Sequence, residues 1–200
     1  MGPAILTGRM NPVILLHGLG DRPRLFRHLV ARLESGGREA HALELVPNNG
    51  HARLEDLAAQ VADAIGQRFA PERKLDLVGF SMGGIVARYY IQRLGGLERV
   101  ERLITIGSPH QGTWSAHFLP RDGARQMRPG SRFLRDLNRD ADQLTRLKVA
   151  SIWTPYDFMI VPGGSARLAG SSTYRVPVFA HAFMLRDARV LALVHKLLGQ

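Results

Sequence analysis

The sequence predicts an α/β fold with flanking helices on a minimal, mostly parallel, doubly wound sheet of six strands. Short, nearly continuous apolar runs alternate along the chain with longer stretches whose apolar residues recur at helical spacing. The 200 residues are 45% hydrophobic and 22% charged, which is typical of a folded protein and suits one domain over residues 1–200. Because strands alternate with helices, we expect right-handed crossovers between parallel strands.

Six apolar runs are predicted as strands. The first, PVILL, is short and apolar throughout, as expected for a strand that is buried on both faces of a parallel sheet. The predicted strands are 12–16, 40–46, 74–80, 100–107, 149–154 and 173–180.

Four amphipathic stretches between and after these strands are predicted as helices. The first lies between Pro23 and Gly36, because proline favours the first turn of a helix and glycine favours its end. The others are recognised by apolar stripes at helical spacing. They run from Leu54 to Phe69, from Met82 to just before Gly95, and over residues 187–198.

The alternation fails over about residues 108–148, between the fourth and fifth predicted strands. This segment is rich in Gly, Pro, Arg and Asp, and only SRFLRDLN (131–138) suggests a short helix. Insertions of this length inside a compact domain are usually functional. We therefore predict a short cap or lid that forms part of a substrate cleft.

Charge and composition limit the partners of this chain. The net charge is +10, but 24 of the 27 basic residues are Arg and they are scattered along the sequence. The densest stretch, 121–148, combines eight basic residues with four Asp, which predicts either a solvated face or peripheral contact with an anionic lipid surface. We expect no nucleic-acid partner, and the pattern predicts no oligomeric state. The absence of cysteine excludes disulfides and cysteine catalysis.

The sequence shows neither a signal peptide nor a transmembrane segment. Its N-terminal apolar run leads into a turn rather than a small-residue cleavage site, and no run approaches 18 apolar residues. We therefore predict a cytoplasmic protein, or a secreted one if an export signal has been trimmed from the sequence.

The hexapeptide GFSMGG (79–84) lies between a predicted strand and a predicted helix. A linker would not join two periodic elements so tightly, and the lysine of a phosphate-binding GxxxxGK[ST] loop is absent. The match is to GxSxG, in which a serine occupies a sharp strand-to-helix turn and the glycines leave room for neighbouring backbone. We predict that Ser81 is a nucleophile, and that the following helix N-terminus stabilises negative charge beside it.

A serine nucleophile needs a base, and usually an acid that orients the base; with this turn they follow in the order Ser, Asp or Glu, His. His181 comes between the last predicted strand and the last predicted helix, where the base is expected. Asp157 follows the fifth strand, so both side chains should reach the carboxyl edge of the sheet together with Ser81. The less favoured alternatives, within the insertion or in helical stretches, are His110, His117, His195, Asp136, Asp140 and Asp142.

The segment HGLGD (17–21), directly after the first strand, supplies backbone for an oxyanion hole. We predict that the amides of Leu19 and Met82 donate to the oxyanion of a tetrahedral intermediate. His17 is predicted to hold this loop through a side-chain hydrogen bond, because no second metal ligand lies at a suitable spacing from it.

In these motifs the sequence resembles the α/β-hydrolase superfamily, and within it the small bacterial triacylglycerol lipases and esterases and the related GPI-inositol-deacylase-like lipases. The resemblance covers the chain from about residue 12 to its end, through HGLGD, GFSMGG, IGSPHQGT (106–113), the region of Asp157 and HAFMLRDARV (181–190). It implies an α/β-hydrolase fold in which Ser81, Asp157 and His181 form the catalytic triad and Leu19 and Met82 are the oxyanion donors. The insertion is shorter than the lids of many large lipases, which argues against interfacial activation.

The predicted activity is hydrolysis of acyl esters or lipids through an acyl-enzyme on Ser81, with no metal or organic cofactor. Two alternatives remain open: acyl transfer, or thioester or amide cleavage, by the same triad, and a non-catalytic basic lipid-binding module. The expected partner is a small-molecule ester or lipid whose acyl chain lies against apolar residues of the insertion and nearby loops. The candidates for this contact are Leu19, Phe80, Trp114, Phe118 and Met159.

Overall fold

The computed structural model describes residues 10–199, and its sheet consists of six strands that all run parallel. Their order across the sheet is β2-β1-β3-β4-β5-β6. Residues 1–9 and 200, which the predicted domain included, lie outside the described residues. The predicted six-stranded sheet is confirmed. The strands are β1 (Val13–Leu16), β2 (Ala40–Leu43), β3 (Leu75–Phe80), β4 (Val100–Ile106), β5 (Lys148–Trp153) and β6 (Ser172–Arg175).

Helices cover both faces of the sheet, as a doubly wound fold requires. The helices are α1 (Arg27–Ser35), α2 (Leu54–Arg68), α3 (Met82–Arg93), α4 (Asp122–Gln126), α5 (Arg132–Arg139) and α6 (Ala188–Leu198). One apolar core lies under α2, α3 and α5, and a second core lies under α1 and α6. Among residues 10–199, no helix is long and apolar enough to span a membrane.

The edge strand β2 ends three residues earlier than predicted, and its bonding partners explain why. Beyond Leu43 the backbone donates to side chains instead of to β1: Leu45 N–H donates to His17 Nε2 at 3.0 Å, and Val46 N–H to Gln60 Oε1 at 3.0 Å. The prediction of a strand over 40–46 was therefore too long.

The other edge strand, β6, ends at Arg175 rather than at 180. Val176 N–H still donates to Trp153 O at 2.9 Å, but Pro177 has no N–H to continue the ladder. The predicted base, His181, consequently follows a stretch of irregular backbone and does not come directly after a strand end. It lies in a short 3₁₀ turn, His181–Phe183.

The segment 108–148 contains α4 and α5, and α5 matches the helix predicted there. A buried guanidinium, that of Arg88 on α3, ties α5 down: it donates to Leu137 O and to Asn138 Oδ1, both at 2.9 Å. Burial lowers the pKa of Arg88 to about 9. The C-terminal part of the insertion is thus packed against the helix that follows Ser81.

The buried carboxylate of Asp76, near the amino end of β3, is held by two arginines. Arg38 donates to Oδ2 at 3.0 Å and Arg102 to Oδ1 at 3.3 Å, and both arginine side chains are nearly buried. Asn11 also donates to Oδ1, at 3.3 Å. These bonds join β3 to the chain before β1 and to β4.

We expect Asp76→Ala to lower the free energy of unfolding by about 3 kcal/mol, because it leaves two nearly buried guanidinium groups without their carboxylate. Urea unfolding followed by circular dichroism measures this change. Asp63→Ala, on the exposed face of α2, is the matched control and should change stability by no more than about 0.5 kcal/mol. Equal unfolding midpoints for the two variants would show that the Asp76 cluster contributes nothing.

Candidate active site

Ser81 stands in a sharp turn between β3 and α3. Its φ and ψ are 54° and −124°, a region that non-glycine residues rarely occupy, and its N–H donates to Ile106 O at 2.9 Å. No side chain fits at the flanking glycines: a Cβ on Gly79 would lie 2.4 Å from Gly84 Cα, and one on Gly83 would lie 2.1 Å from Leu16 O. The serine is therefore held at the carboxyl edge of the sheet by tight backbone packing.

His181 and Asp157 form a buried pair at the same edge. Nδ1 of His181 lies 2.7 Å from Oδ2 of Asp157, and both residues are only 7% exposed. The other carboxylate oxygen, Oδ1, accepts from the N–H groups of Met159 and Ile160 at 2.9 and 2.8 Å. Because the carboxylate can only accept, this arrangement assigns the proton to Nδ1 and leaves Nε2 as an acceptor.

Backbone around β4 connects this pair to the Ser81 turn. Ile106, which accepts from Ser81 N–H, precedes Gly107, and a Cβ on Gly107 would lie 2.9 Å from His181 Cε1. The ring of Phe80 packs against the His181 ring with centroids 4.7 Å apart. The structure thus brings all three predicted triad residues to one place.

The predicted oxyanion loop packs against the serine. A Cβ on Gly18 would lie 2.9 Å from Ser81 Cβ. The loop is held by His17, whose Nδ1 bonds to Gly18 O at 2.9 Å and whose Nε2 accepts from Leu45 N–H, just beyond β2. Leu19 N–H donates to no acceptor among residues 10–199. Met82 is the first residue of α3, so its N–H has no acceptor within the helix.

Of the five predicted cleft residues, three are exposed, one is buried and one is partly buried. Trp114, Phe118 and Met159 are 59%, 86% and 56% exposed, and they remain candidates for contact with substrate. Phe80 is only 2% exposed, because it packs in the core beneath His181. The prediction that Phe80 lines the cleft is not supported. Leu19 is partly buried against the core.

Further exposed aromatic residues, not predicted from the sequence as site residues, lie beside Asp157 and His181 in the chain. Phe158, next to Asp157, meets Phe179 edge to face with ring centroids 6.1 Å apart, and Phe183 is also exposed. Their chain position beside the two polar triad candidates was the available signal. We refer to the exposed residues Trp114, Phe118, Phe158, Met159, Phe179 and Phe183 as the apolar rim.

Asp21, at the end of the predicted oxyanion loop, was also not predicted from the sequence as a site residue. Burial raises the pKa of its carboxyl group, while the nearby His17 and His181 act in the opposite direction. Its Oδ2 lies 2.8 Å from the position that a Gly18 Cβ would occupy. Asp21 is therefore a second carboxyl group close to Ser81.

His110, a rival for the base on chain order, is fully buried and bonds to β4 and α3 rather than to a carboxylate. Nε2 bonds to Thr105 Oγ1 at 3.0 Å, and Nδ1 lies 3.4 Å from the Arg88 guanidinium. Burial, and then Arg88, hold the pKa of His110 well below its usual value. This histidine stays neutral and holds the start of the insertion in place.

The parallel sheet, the glycine-flanked serine turn and the histidine–carboxylate pair at the sheet edge define an α/β-hydrolase, as predicted. The chain belongs to the palmitoyl protein thioesterase family, whose sequence model matches residues 12–159. The matched range includes Ser81 and Asp157 and ends before His181.

Curated relatives match about half of this chain. A palmitoyl-protein thioesterase-dolichyl pyrophosphate phosphatase fusion protein of Schizosaccharomyces pombe is 32% identical over 111 residues, which are 50% of this chain and 18% of that protein. A triacylglycerol lipase of Pseudarthrobacter phenanthrenivorans is 31% identical over 119 residues, which are 54% of this chain and 36% of the lipase. The chain therefore spans only a minor part of these relatives.

Solved structures match nearly the whole chain. The mature form of the Bacillus licheniformis lipase BlEst2 superposes with a TM-score of 0.80 at 18% identity, covering 96% of this chain and 93% of that one. Aspergillus fumigatus lipase B gives a TM-score of 0.82 at 20% identity, covering 99% of this chain and 55% of the lipase. At these identities the likeness establishes the fold alone.

Proposed function

We propose that this protein is a serine hydrolase that cleaves acyl esters through an acyl-enzyme on Ser81. The observation that carries the proposal is the 2.7 Å contact between His181 Nδ1 and Asp157 Oδ2 beside a serine held at positive φ. The carboxyl group of Asp157 is held on its other oxygen by two backbone N–H groups, so it can fix the orientation of the His181 ring and stabilise an imidazolium.

The reaction follows from this arrangement. Ser81 Oγ attacks the acyl carbonyl carbon while His181 Nε2 takes the hydroxyl proton, and the amides of Leu19 and Met82 donate to the oxyanion. His181 then returns the proton to the departing alcohol as the bond to the carbonyl carbon breaks. Water attacks the acyl-enzyme by the same route, which releases the acid and restores Ser81. No metal or organic cofactor enters these steps.

The apolar rim supports an acyl substrate. Its side chains are exposed, Phe158 and Phe179 are in ring contact, and exposed apolar residues that lie together favour contact with apolar ligands. The backbone N–H of Trp114 donates to Val161 O at 3.0 Å, which joins the insertion to the loop that contains Asp157. An acyl chain can therefore lie between the insertion and that loop.

A second candidate, thioester hydrolysis, is favoured by the family match to palmitoyl protein thioesterases. The same Ser81, His181 and Asp157 would serve, with a thiol as the leaving group. Rates on an oxygen ester and a thioester with the same acyl chain and closely similar leaving groups separate the two candidates.

A fluorophosphonate probe, followed by peptide mass spectrometry, tests the proposal. We expect one stoichiometric adduct, on Ser81, and loss of hydrolysis of p-nitrophenyl esters from acetate to palmitate in step with labelling. If the protein neither carries an adduct nor cleaves esters or thioesters, a non-catalytic lipid-binding module becomes the better account. If acyl groups pass to an added alcohol faster than to water, the protein is an acyltransferase.

A further inference from the structure

A pocket of about 360 Å³ lies beside the oxyanion loop and is lined mainly by arginines. Arg22, Arg24 and Arg27 contribute from the start of the first helical segment, and Arg186 contributes from the loop that follows His181. Gly20, Asp21 and Leu25 complete the lining. The lining thus contains four guanidinium groups and only one carboxyl group, that of Asp21.

These four side chains differ from many other arginines of the chain. Among residues 10–199, none of the four makes a hydrogen bond or ion pair through its guanidinium. Elsewhere arginine side chains are engaged: Arg53 with Glu55, Arg93 with Asp136 and Asp140, Arg125 with Asp122, Arg139 with Asp136, Arg146 with Glu98 and Arg189 with Asp187. Four arginines without such a partner therefore line one pocket, outside the 121–148 stretch in which sequence density predicted a basic face.

The pocket lies next to the reacting serine. Asp21, which closes it on that side, has Oδ2 2.8 Å from the position of a Gly18 Cβ, and Ser81 Cβ lies 2.9 Å from the same point. Arg186 is five residues after the proposed base, on the same loop. A substrate bound at Ser81 can therefore reach the arginines with a short linker.

We propose that this arginine pocket binds a phosphate group carried by the alcohol or thiol portion of the substrate. Guanidinium groups form paired hydrogen bonds with phosphate oxygens, and several of them match its multiple charge. The acyl portion would occupy the apolar rim, much of which belongs to the insertion and the Asp157 loop. The proposal rests on the proposed function, because it assigns the leaving group of that same reaction.

In this reaction the phosphate takes no part in bond making or breaking. Ser81 Oγ bonds to the acyl carbon, the bond between that carbon and the oxygen or sulfur of the leaving group breaks, and the leaving group takes the proton from His181. Water then gives its hydroxyl group to the acyl carbon and its other proton, through His181, back to Ser81 Oγ, which releases the acid. The arginines only position the leaving group.

Two matched substrate pairs test the pocket and distinguish two sources of phosphate. The lipid pair is 1-butyryl-glycerol 3-phosphate and 1-butyryl-glycerol; the nucleotide pair is butyryl-coenzyme A and S-butyryl-N-acetylcysteamine. Within each pair the reacting group is the same and only one member carries phosphate. We expect kcat/KM to be at least about tenfold higher for the phosphate-bearing member of one or both pairs, mainly through a lower KM.

The double variant Arg24→Gln/Arg186→Gln should reduce this preference about tenfold or more, measured as the ratio of kcat/KM within each pair. Arg32→Gln, an exposed arginine further along α1 and outside the pocket, makes the same kind of charge change and should keep the wild-type ratio. Raising the ionic strength from about 0.01 M to about 1 M should reduce the preference in wild type and much less in the double variant.

A preference in the lipid pair alone identifies a phospholipid-type leaving group, and one in the nucleotide pair alone identifies a nucleotide thioester. If the wild-type protein prefers neither phosphate-bearing member, or if the double variant and Arg32→Gln have equal ratios, the phosphate pocket is ruled out. Cleavage of the uncharged members would still support the serine hydrolase in that case. Failure to cleave any of the four compounds, together with absence of a fluorophosphonate adduct, would instead count against the proposed function.

Discussion

Replacing Ser81 with Ala is expected to lower kcat for ester hydrolysis by roughly 10⁴- to 10⁶-fold. In the proposed mechanism the acyl-enzyme cannot form without the hydroxyl group, and the histidine–carboxylate pair has no nucleophile left to activate. Measurement of kcat and KM on a short p-nitrophenyl ester gives the size of the loss. KM should change much less than kcat, because no group that contacts the bound acyl chain is removed.

Ser108→Ala is the matched control for this variant. Ser108 is fully buried near the start of α3, and its Oγ has no hydrogen-bond partner among the described residues. Removing an unpartnered buried hydroxyl should leave activity within a few fold of wild type and should not destabilise the protein. Retention of a tenth or more of the activity in Ser81→Ala would identify a different nucleophile.

Gly83→Ala should disrupt the turn itself and cost on the order of 4–5 kcal/mol of folding stability, more than most overpacking substitutions. The added Cβ would lie 2.1 Å from Leu16 O and 2.7 Å from His17 O. Both atoms are backbone at the end of β1, which is paired with β2 on one side and β3 on the other, so neither can move without breaking strand pairing. We expect low soluble yield, and a large fall in the unfolding midpoint for the protein that is recovered.

Gly66→Ala makes the same chemical change but is expected to have the opposite effect on folding stability. Gly66 lies in α2, and a Cβ there would meet nothing within 4 Å. Because alanine favours helix, this variant should gain about 0.5–1 kcal/mol of stability. If both glycine variants unfold at the same urea concentration, the close approach between α3 and β1 is not a determinant of stability.

Local pattern predicted the elements of the sheet well, and failed where bonding partners lie far away in the chain. Apolar runs located all six strands, most clearly β1 and β3, since a strand buried on both faces must be apolar along its length. The C-terminal end of β2 was set by Gln60, which accepts from Val46 N–H, and by His17, which accepts from Leu45 N–H. Those partners are 14 and 28 residues away, beyond the reach of periodicity.

The candidate site, like the sheet, was predicted from the sequence only in part. GxSxG, with its strand before and helix after, was sufficient to predict the turn at Ser81, because that geometry is a property of adjacent residues. Chain order pointed to Asp157 and His181, but the orientation of the pair depends on donors from Met159 and Ile160, which only the folded loop positions. The roles of these residues in catalysis stay predictions until they are tested.

The distribution of charge on the folded protein was the feature least well predicted from the sequence. Counting basic residues drew attention to the stretch 121–148, and contact of that stretch with an anionic lipid surface remains a prediction. Folding pairs several of its arginines with carboxylates and brings Arg186 to Arg22, Arg24 and Arg27.

The sequence by itself determined the α/β class, the serine turn and the chain order of the polar residues, because these depend on near neighbours. The tertiary structure decided which side chains are buried, paired or left free, because that depends on contacts between segments far apart in the chain.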